Sequence, residues 1–195
     1  MAIWTKPIST DILTTTHIDT AAERLGIEFV EIGPDFIRGR IPVDHRTRQP
    51  YGVIHGGANV VLAETLGSCG ADYSTPVGHR IVGLDINANH IRGVAEGWVN
   101  GIARPVHIGR STQVWQIDMS DDQGRISCVS RLTLSVLAPR LTAIPAGTSS
   151  LCFQGSLCFD RACEHFPFRR CQTCSSFCCA ACAFALCGCL HKPMP

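Results

Sequence analysis

Gly52-Val-Ile-His-Gly-Gly-Ala-Asn-Val-Val-Leu-Ala-Glu-Thr-Leu-Gly-Ser68 joins a glycine-rich turn to an apolar stretch with a single acid, Glu64, near its centre. Stepping about 100° per residue along a helix, Glu64 shares a face with Gly57, Val60, Val61, Ser68 and Ala71, while Ala58, Leu62, Leu66 and Cys69 occupy the opposite face. Both faces are apolar, so the helix is expected to be buried all round. An ionised carboxylate inside a core is costly unless it is paired. With no cation close by in sequence, its natural role is nucleophile or general base, and a structural ion pair is the rival reading.

Around this helix the pattern is mostly strand. Before it, Ser9 to Leu25 has ragged helical spacing and reads as one short helix. Ile27–Ile32 and Phe36–Val43 read as two strands joined by Gly33-Pro-Asp. After His79 come strands only. In Val82-Gly-Leu-Asp-Ile-Asn-Ala-Asn-His90, Val82, Leu84, Ile86, Ala88 and His90 are expected on one face, the core side. Trp98–Ala103 and Val114–Met119 follow, and Asp121-Asp-Gln-Gly124 turns into a last strand with Cys128, Ser130, Leu132, Leu134 and Val136 on one face. Short turns between strands imply an antiparallel sheet, and one buried helix against it is an α+β layer architecture.

Composition sets the limits. The 195 residues are enough for one domain with an appendage, and a net charge of +1 argues against a nucleic-acid partner. Of 12 cysteines, only Cys69 and Cys128 precede residue 150. The start, Met1-Ala-Ile-Trp-Thr-Lys-Pro, has no secretory signal pattern, so residues 1–137 are expected to be a cytoplasmic domain with free thiols. Residues 138–150 read as a linker rich in proline, glycine and hydroxyls, and 151–195 as an unstructured Cys-rich tail. The apolar run Phe177–Leu190 falls short of the ~20 residues a spanning helix needs, so membrane contact is not expected. Cys171-x-x-Cys174, Cys179-x-x-Cys182 and His191 have partial zinc-like spacing, but the cysteines are too crowded for a metal site to be assigned.

Four blocks in order carry a resemblance: Pro42-Val-Asp-x-Arg-Thr-Arg-Gln-Pro50, Gly52-x-x-His-Gly-Gly-Ala-x-Val-Val-Leu-Ala-Glu64 with Gly67-Ser68, Val82–His90, and His107-x-Gly109 with Gln113-Val-Trp-Gln116. Residues 3–137 resemble a hotdog-fold acyl-CoA thioesterase, of the branch containing 1,4-dihydroxy-2-naphthoyl-CoA thioesterase of menaquinone synthesis and the enterobactin proofreading thioesterase. The resemblance implies an antiparallel sheet wrapped around one long helix. It implies that Glu64 attacks the thioester carbonyl or activates a water, with the Gly56 N–H taking the oxyanion. It further implies that Gln49 and His55 hydrogen-bond near the thioester, that Ser68 positions a water or the acyl ring, and that His90 lines the acyl pocket from the partner subunit. Val60 and Val61, with Tyr73 and Ile81, would shape that pocket. Arg92, Arg104, Arg110 and Ser111 would meet coenzyme A phosphates, although Arg110-Ser111 reverses the Ser-Arg order of close relatives.

The expected substrate is an aromatic acyl-CoA, with coenzyme A part of the substrate and no cofactor, acting in a homodimer or homotetramer. An aryl-loaded acyl-carrier protein is the alternative substrate, and a non-catalytic acyl-CoA binding module the alternative function. Bland readings stand beside the functional ones: His55 satisfying a turn, Ser68 a small packing residue, His90 a satisfied core histidine.

Overall fold

The computed structural model describes residues 1–139. Two short helices, α1 (Thr10–Thr16) and α2 (Ala21–Arg24), precede the strands β1 (Glu28–Ile32) and β2 (Ile37–Pro42). The long helix α3 (Gly56–Tyr73) follows, and then β3 (Arg80–His90), β4 (Trp98–Ile108), β5 (Thr112–Ser120) and β6 (Ile126–Leu137). The expected linker from residue 140 onward, and the Cys-rich tail, lie outside the described residues.

The single helix expected over Ser9 to Leu25 is two. Ser9 caps α1 by accepting a hydrogen bond from the Ile12 N–H. The helix then stops because side chains take the carbonyls that another turn would use. Thr16 donates to the Leu13 carbonyl, His17 Nδ1 sits 2.7 Å from the same oxygen, and Thr20 donates to the His17 carbonyl. Asp19 completes the break in the left-handed region, at φ 60°.

All strand pairs are antiparallel, in the order β1-β2-β4-β5-β6-β3. β3 therefore lies at the edge beside β6, not beside β4, its successor in the chain. The connection from Ile91 to Gly97 crosses to the far part of the sheet and is fastened to the segment before α3. Ile54 N–H donates to Val94 O, Val43 N–H to Gly97 O and the Arg48 guanidinium to Ala95 O.

Leu62, Ala63 and Leu66 of α3 meet Ile37 and Ile41 of β2, Val99 and Ala103 of β4, Trp115, Ile117 and Met119 of β5, and Leu132 and Leu134 of β6, all buried. Each such large side chain contributes about 1.5–3 kcal/mol. A polar network fixes the C-terminal end of α3. Gln113 is 1% exposed, accepts from Trp115 Nε1 at 2.9 Å and donates to Thr75 Oγ1 at 2.8 Å, while Thr75 donates to the Ala71 carbonyl. The sheet thus wraps one long helix, the arrangement expected of a hotdog fold.

Two expectations about faces are corrected. The helix α3 is buried on the side of Ala58, Leu62, Leu66 and Cys69, but Val60, Val61, Glu64 and Ser68 are only half-buried in the single chain. In β3 the alternation fails at Leu84. The pairing with β6 skips this residue between Gly83 and Asp85, a bulge that exchanges the faces. Val82 and Leu84 are consequently exposed, at 48% and 63%, and Gly83 instead approaches α3. Ile86, Ala88 and His90 keep the core-side orientation, with Ile86 beside Glu64 and His90 beside Gly56.

Candidate active site

The site is built from the start of α3 downward. His55 is its N-cap, and the Gly57 N–H donates to His55 Nδ1 at 2.9 Å. This bond leaves Nε2 as the protonated nitrogen of the neutral ring. His55 is thus a helix cap whose free end remains exposed, which joins the turn-satisfying reading to a substrate-facing one. The Gly56 N–H has no acceptor among the described residues. It is one of the unpaired donors that every helix start offers, at the positive end of the helix dipole.

Gln49 is held beside this corner by its backbone. Its N–H donates to Val53 O at 2.9 Å, its carbonyl accepts from the Gly52 N–H at 2.9 Å, and its side-chain amide lies 3.5 Å from Ile54 O. Gly52, at φ 80°, makes the turn possible. His90 comes in from β3, so close to Gly56 that a Cβ there would lie 2.8 Å from its Nε2. A side chain at this position would push the ring aside. Gln49, Gly56, Asn59, His90 and Arg92 line one hollow of about 310 Å³.

Glu64 belongs to a second hollow, about 410 Å³ and largely apolar, lined by His17, Thr20, Ala22, Val60, Val61 and Ile86 among others. Ser68 Oγ donates to Glu64 Oε1 at 3.2 Å. A Cβ on Gly83 would lie 2.8 Å from the same oxygen, so the bulged strand leaves the carboxylate its place. Among the described residues no ion pair involves Glu64.

The structure therefore brings together Gln49, Gly56, His90 and Arg92, and separately Glu64, Ser68, Val60 and Val61. It does not bring the two sets together within one chain. Gly56 and Glu64 are eight residues apart on one helix, roughly 12 Å at 1.5 Å per residue.

Arg110 and Ser111 sit on the exposed β4–β5 turn, in neither hollow. Arg104 stacks over Phe36 at 5.0 Å, an alternative engagement to phosphate. Tyr73 and Ile81 pack against the core rather than line the Glu64 hollow. Sequence reasoning missed His17, Thr20 and Ala22, which it treated only as helix, and Ile86 as a lining residue. It also missed Asn59, and nothing in the local pattern marks that residue.

The chain has relatives among known proteins in both sequence and fold. The family model described as Thioesterase superfamily matches residues 51–128. A proofreading thioesterase, EntH, of Cronobacter turicensis is 44% identical over 135 residues, covering 69% of this chain and 98% of that protein. A 1,4-dihydroxy-2-naphthoyl-CoA hydrolase of Escherichia coli K12 is 44% identical, covering 69% and 99%. The crystal structure of a thioesterase from Haemophilus influenzae superposes with a TM-score of 0.70 at 45% identity, covering 72% of this chain and 99% of that one.

Proposed function

The chain belongs to the thioesterase superfamily and is a thioester hydrolase, and from that premise we propose that it hydrolyses aromatic acyl-CoA thioesters at a site shared by two copies. The observation that carries this reading is the division of the site residues. The acid, Glu64, lines a hollow large and apolar enough for an aryl group. The unpaired Gly56 donor lies about 12 Å away along the same helix. No single carbonyl reaches both. A second copy, with its helix running the other way across a two-fold axis, sets the Gly56 corner of one chain against the Glu64 hollow of the other.

At such a junction the thioester oxygen lies against the Gly56 N–H, with Gln49 and His55 beside it and the aryl group toward Val60 and Val61. Glu64 either attacks the carbonyl carbon or takes a proton from the water that attacks. Negative charge gathers on the oxygen, where the Gly56 donor and the helix dipole receive it. The carbon–sulfur bond then breaks, and the thiolate leaves and takes a proton to give free CoA. Direct attack leaves an acyl–Glu64 anhydride that water hydrolyses, so both routes yield the same acid. Ser68 holds the carboxylate in place for either route. Arg92, next to His90, is the cation best placed for a CoA phosphate, with Arg110 and Ser111 as more distant candidates.

The name of one relative, a 1,4-dihydroxy-2-naphthoyl-CoA hydrolase, supports an aryl substrate. We favour the CoA ester, with 1,4-dihydroxy-2-naphthoyl-CoA of menaquinone synthesis as the specific candidate, over a carrier-bound aryl group. The reading places the enzyme in the cytoplasm as a homodimer or homotetramer. Among the described residues no helix is long and apolar enough to cross a membrane.

Thiol release from benzoyl-type CoA esters tests the reading. The intact enzyme is expected to turn them over, and Glu64→Gln to lose at least about a hundredfold in kcat. An undiminished Glu64→Gln rate would remove the proposed chemistry. Faster turnover of a carrier-bound aryl thioester would move the substrate to the carrier protein.

A further inference from the structure

Asn59, one turn into α3, is 2% exposed. An amide so deep ordinarily has both its ends paired. Here the oxygen Oδ1 has no partner among the described residues, and the nitrogen Nδ2 lies 3.4 Å from His90 Nδ1. An unpaired buried oxygen is destabilising, and a leucine or alanine would fill the position without that cost. Packing alone does not account for the amide, and the polar group it faces is the His90 ring.

The ring is held from two sides. Asn59 meets Nδ1, and Gly56 lies against Nε2, where a Cβ would come within 2.8 Å. An amide NH₂ only donates, so the Nδ1 it meets is the lone-pair nitrogen, and a neutral imidazole then carries its proton on Nε2. That nitrogen is the one on the Gly56 side.

We propose that Asn59 is a positioning residue, which holds His90 in the Nε2–H tautomer and so presents a second hydrogen-bond donor at the Gly56 corner for an oxygen of the bound acyl thioester. This rests on the reading of that corner as half of the substrate site. The Gly56 N–H alone offers one donor to the developing oxyanion. His90 supplies another, either to the same oxygen or to a hydroxyl on the aryl ring. Without the Asn59 amide, nothing among its hydrogen bonds in the described residues dictates which nitrogen of His90 keeps the proton.

Two measurements decide it. In protein labelled with ¹⁵N at histidine, near neutral pH, the His90 signals are identified by their loss in His90→Ala. They are expected to have the Nε2-protonated pattern in the wild type and to move toward the Nδ1-protonated pattern in Asn59→Asp, whose carboxylate accepts instead of donating. A wild-type His90 protonated on Nδ1 would overturn the proposal. In kinetics with a benzoyl-type CoA ester, Asn59→Leu is expected to lower kcat/KM roughly five- to tenfold, the worth of one hydrogen bond. In the His90→Ala background the same change is expected to do almost nothing, and an equal loss there would show that Asn59 does not act through His90. If the wild type leaves aryl thioesters intact, the substrate reading fails while the ring spectrum still decides the role of Asn59.

Discussion

Ser68 Oγ donates a hydrogen bond to Glu64 Oε1 at 3.2 Å, across one turn of α3. The bond ties one oxygen of the carboxylate without neutralising it, and the lack of a side chain on Gly83 leaves the acid room beside the apolar hollow. Ser68→Ala keeps the helix and its small side chain but frees the carboxylate. We expect kcat to fall roughly fivefold to tenfold, KM to change little and the thermal midpoint to stay within a degree or two. A steady-state comparison checks this, and an unchanged kcat would make Ser68 a packing residue only.

Gln113 joins β5 to the C-terminal end of α3 through Trp115 and Thr75. Replacing it with leucine preserves bulk but leaves the Trp115 indole N–H and the Thr75 hydroxyl without their buried partner. The orphaned indole N–H costs about 1–3 kcal/mol, and the Thr75 hydroxyl, which still donates to the Ala71 carbonyl, loses one hydrogen bond of about 1 kcal/mol. Gln113→Leu should therefore lower stability by roughly 2–4 kcal/mol in urea melts, with activity per folded molecule retained. A loss below about 0.5 kcal/mol would show the network to be energetically idle.

Cys69 is pushed up to about 12, first by burial and then by the charge of Asp72. The folded state thus favours the neutral thiol. The unfolded thiol titrates near about 8.5, so this contribution to stability is fully present below that pH and is lost as pH rises toward 12. Denaturation midpoints measured from pH 8 upward should fall, and Cys69→Ala should fall less steeply than the wild type. Identical slopes would assign the alkaline loss to other groups. Alkylation mapped by peptide mass spectrometry near pH 8 should spare Cys69 until the protein unfolds.

Much of this fold could be read from the residues, for reasons that also explain the errors. The turn Gly52–Gly57, the apolar helix and the period-two strand around Leu132 and Leu134 each carry a strong local signal, and the structure keeps all three. The bulge at Leu84 is silent because an apolar residue fits the alternation whichever face it takes. The break after α1 depends on Thr16, His17 and Thr20 side chains bonding to carbonyls, which hydrophobic spacing does not register. Apolar residues around Glu64 suggested complete burial, whereas that face is half-open in one chain. Glu64 stood out by residue type among apolar neighbours, whereas the other candidate site residues, and His90 as a partner-subunit residue, came from the family resemblance. The separation of Gly56 from Glu64 follows from helix length rather than from any motif. Asn59 escaped notice because a lone polar residue at the start of a helix has many ordinary explanations.

A subunit-mixing assay tests the shared site most directly. Glu64→Gln chains lack the acid, and Gln49→Ala/His90→Ala chains lack the opposing corner. Unfolding and refolding the two together in equal amounts makes half the dimers mixed, and half the sites in those dimers carry both an intact acid and an intact corner. The account predicts recovery of about a quarter of wild-type activity from two nearly inactive parents. Mixed dimers verified by native mass spectrometry, yet no more active than either parent, would contradict it.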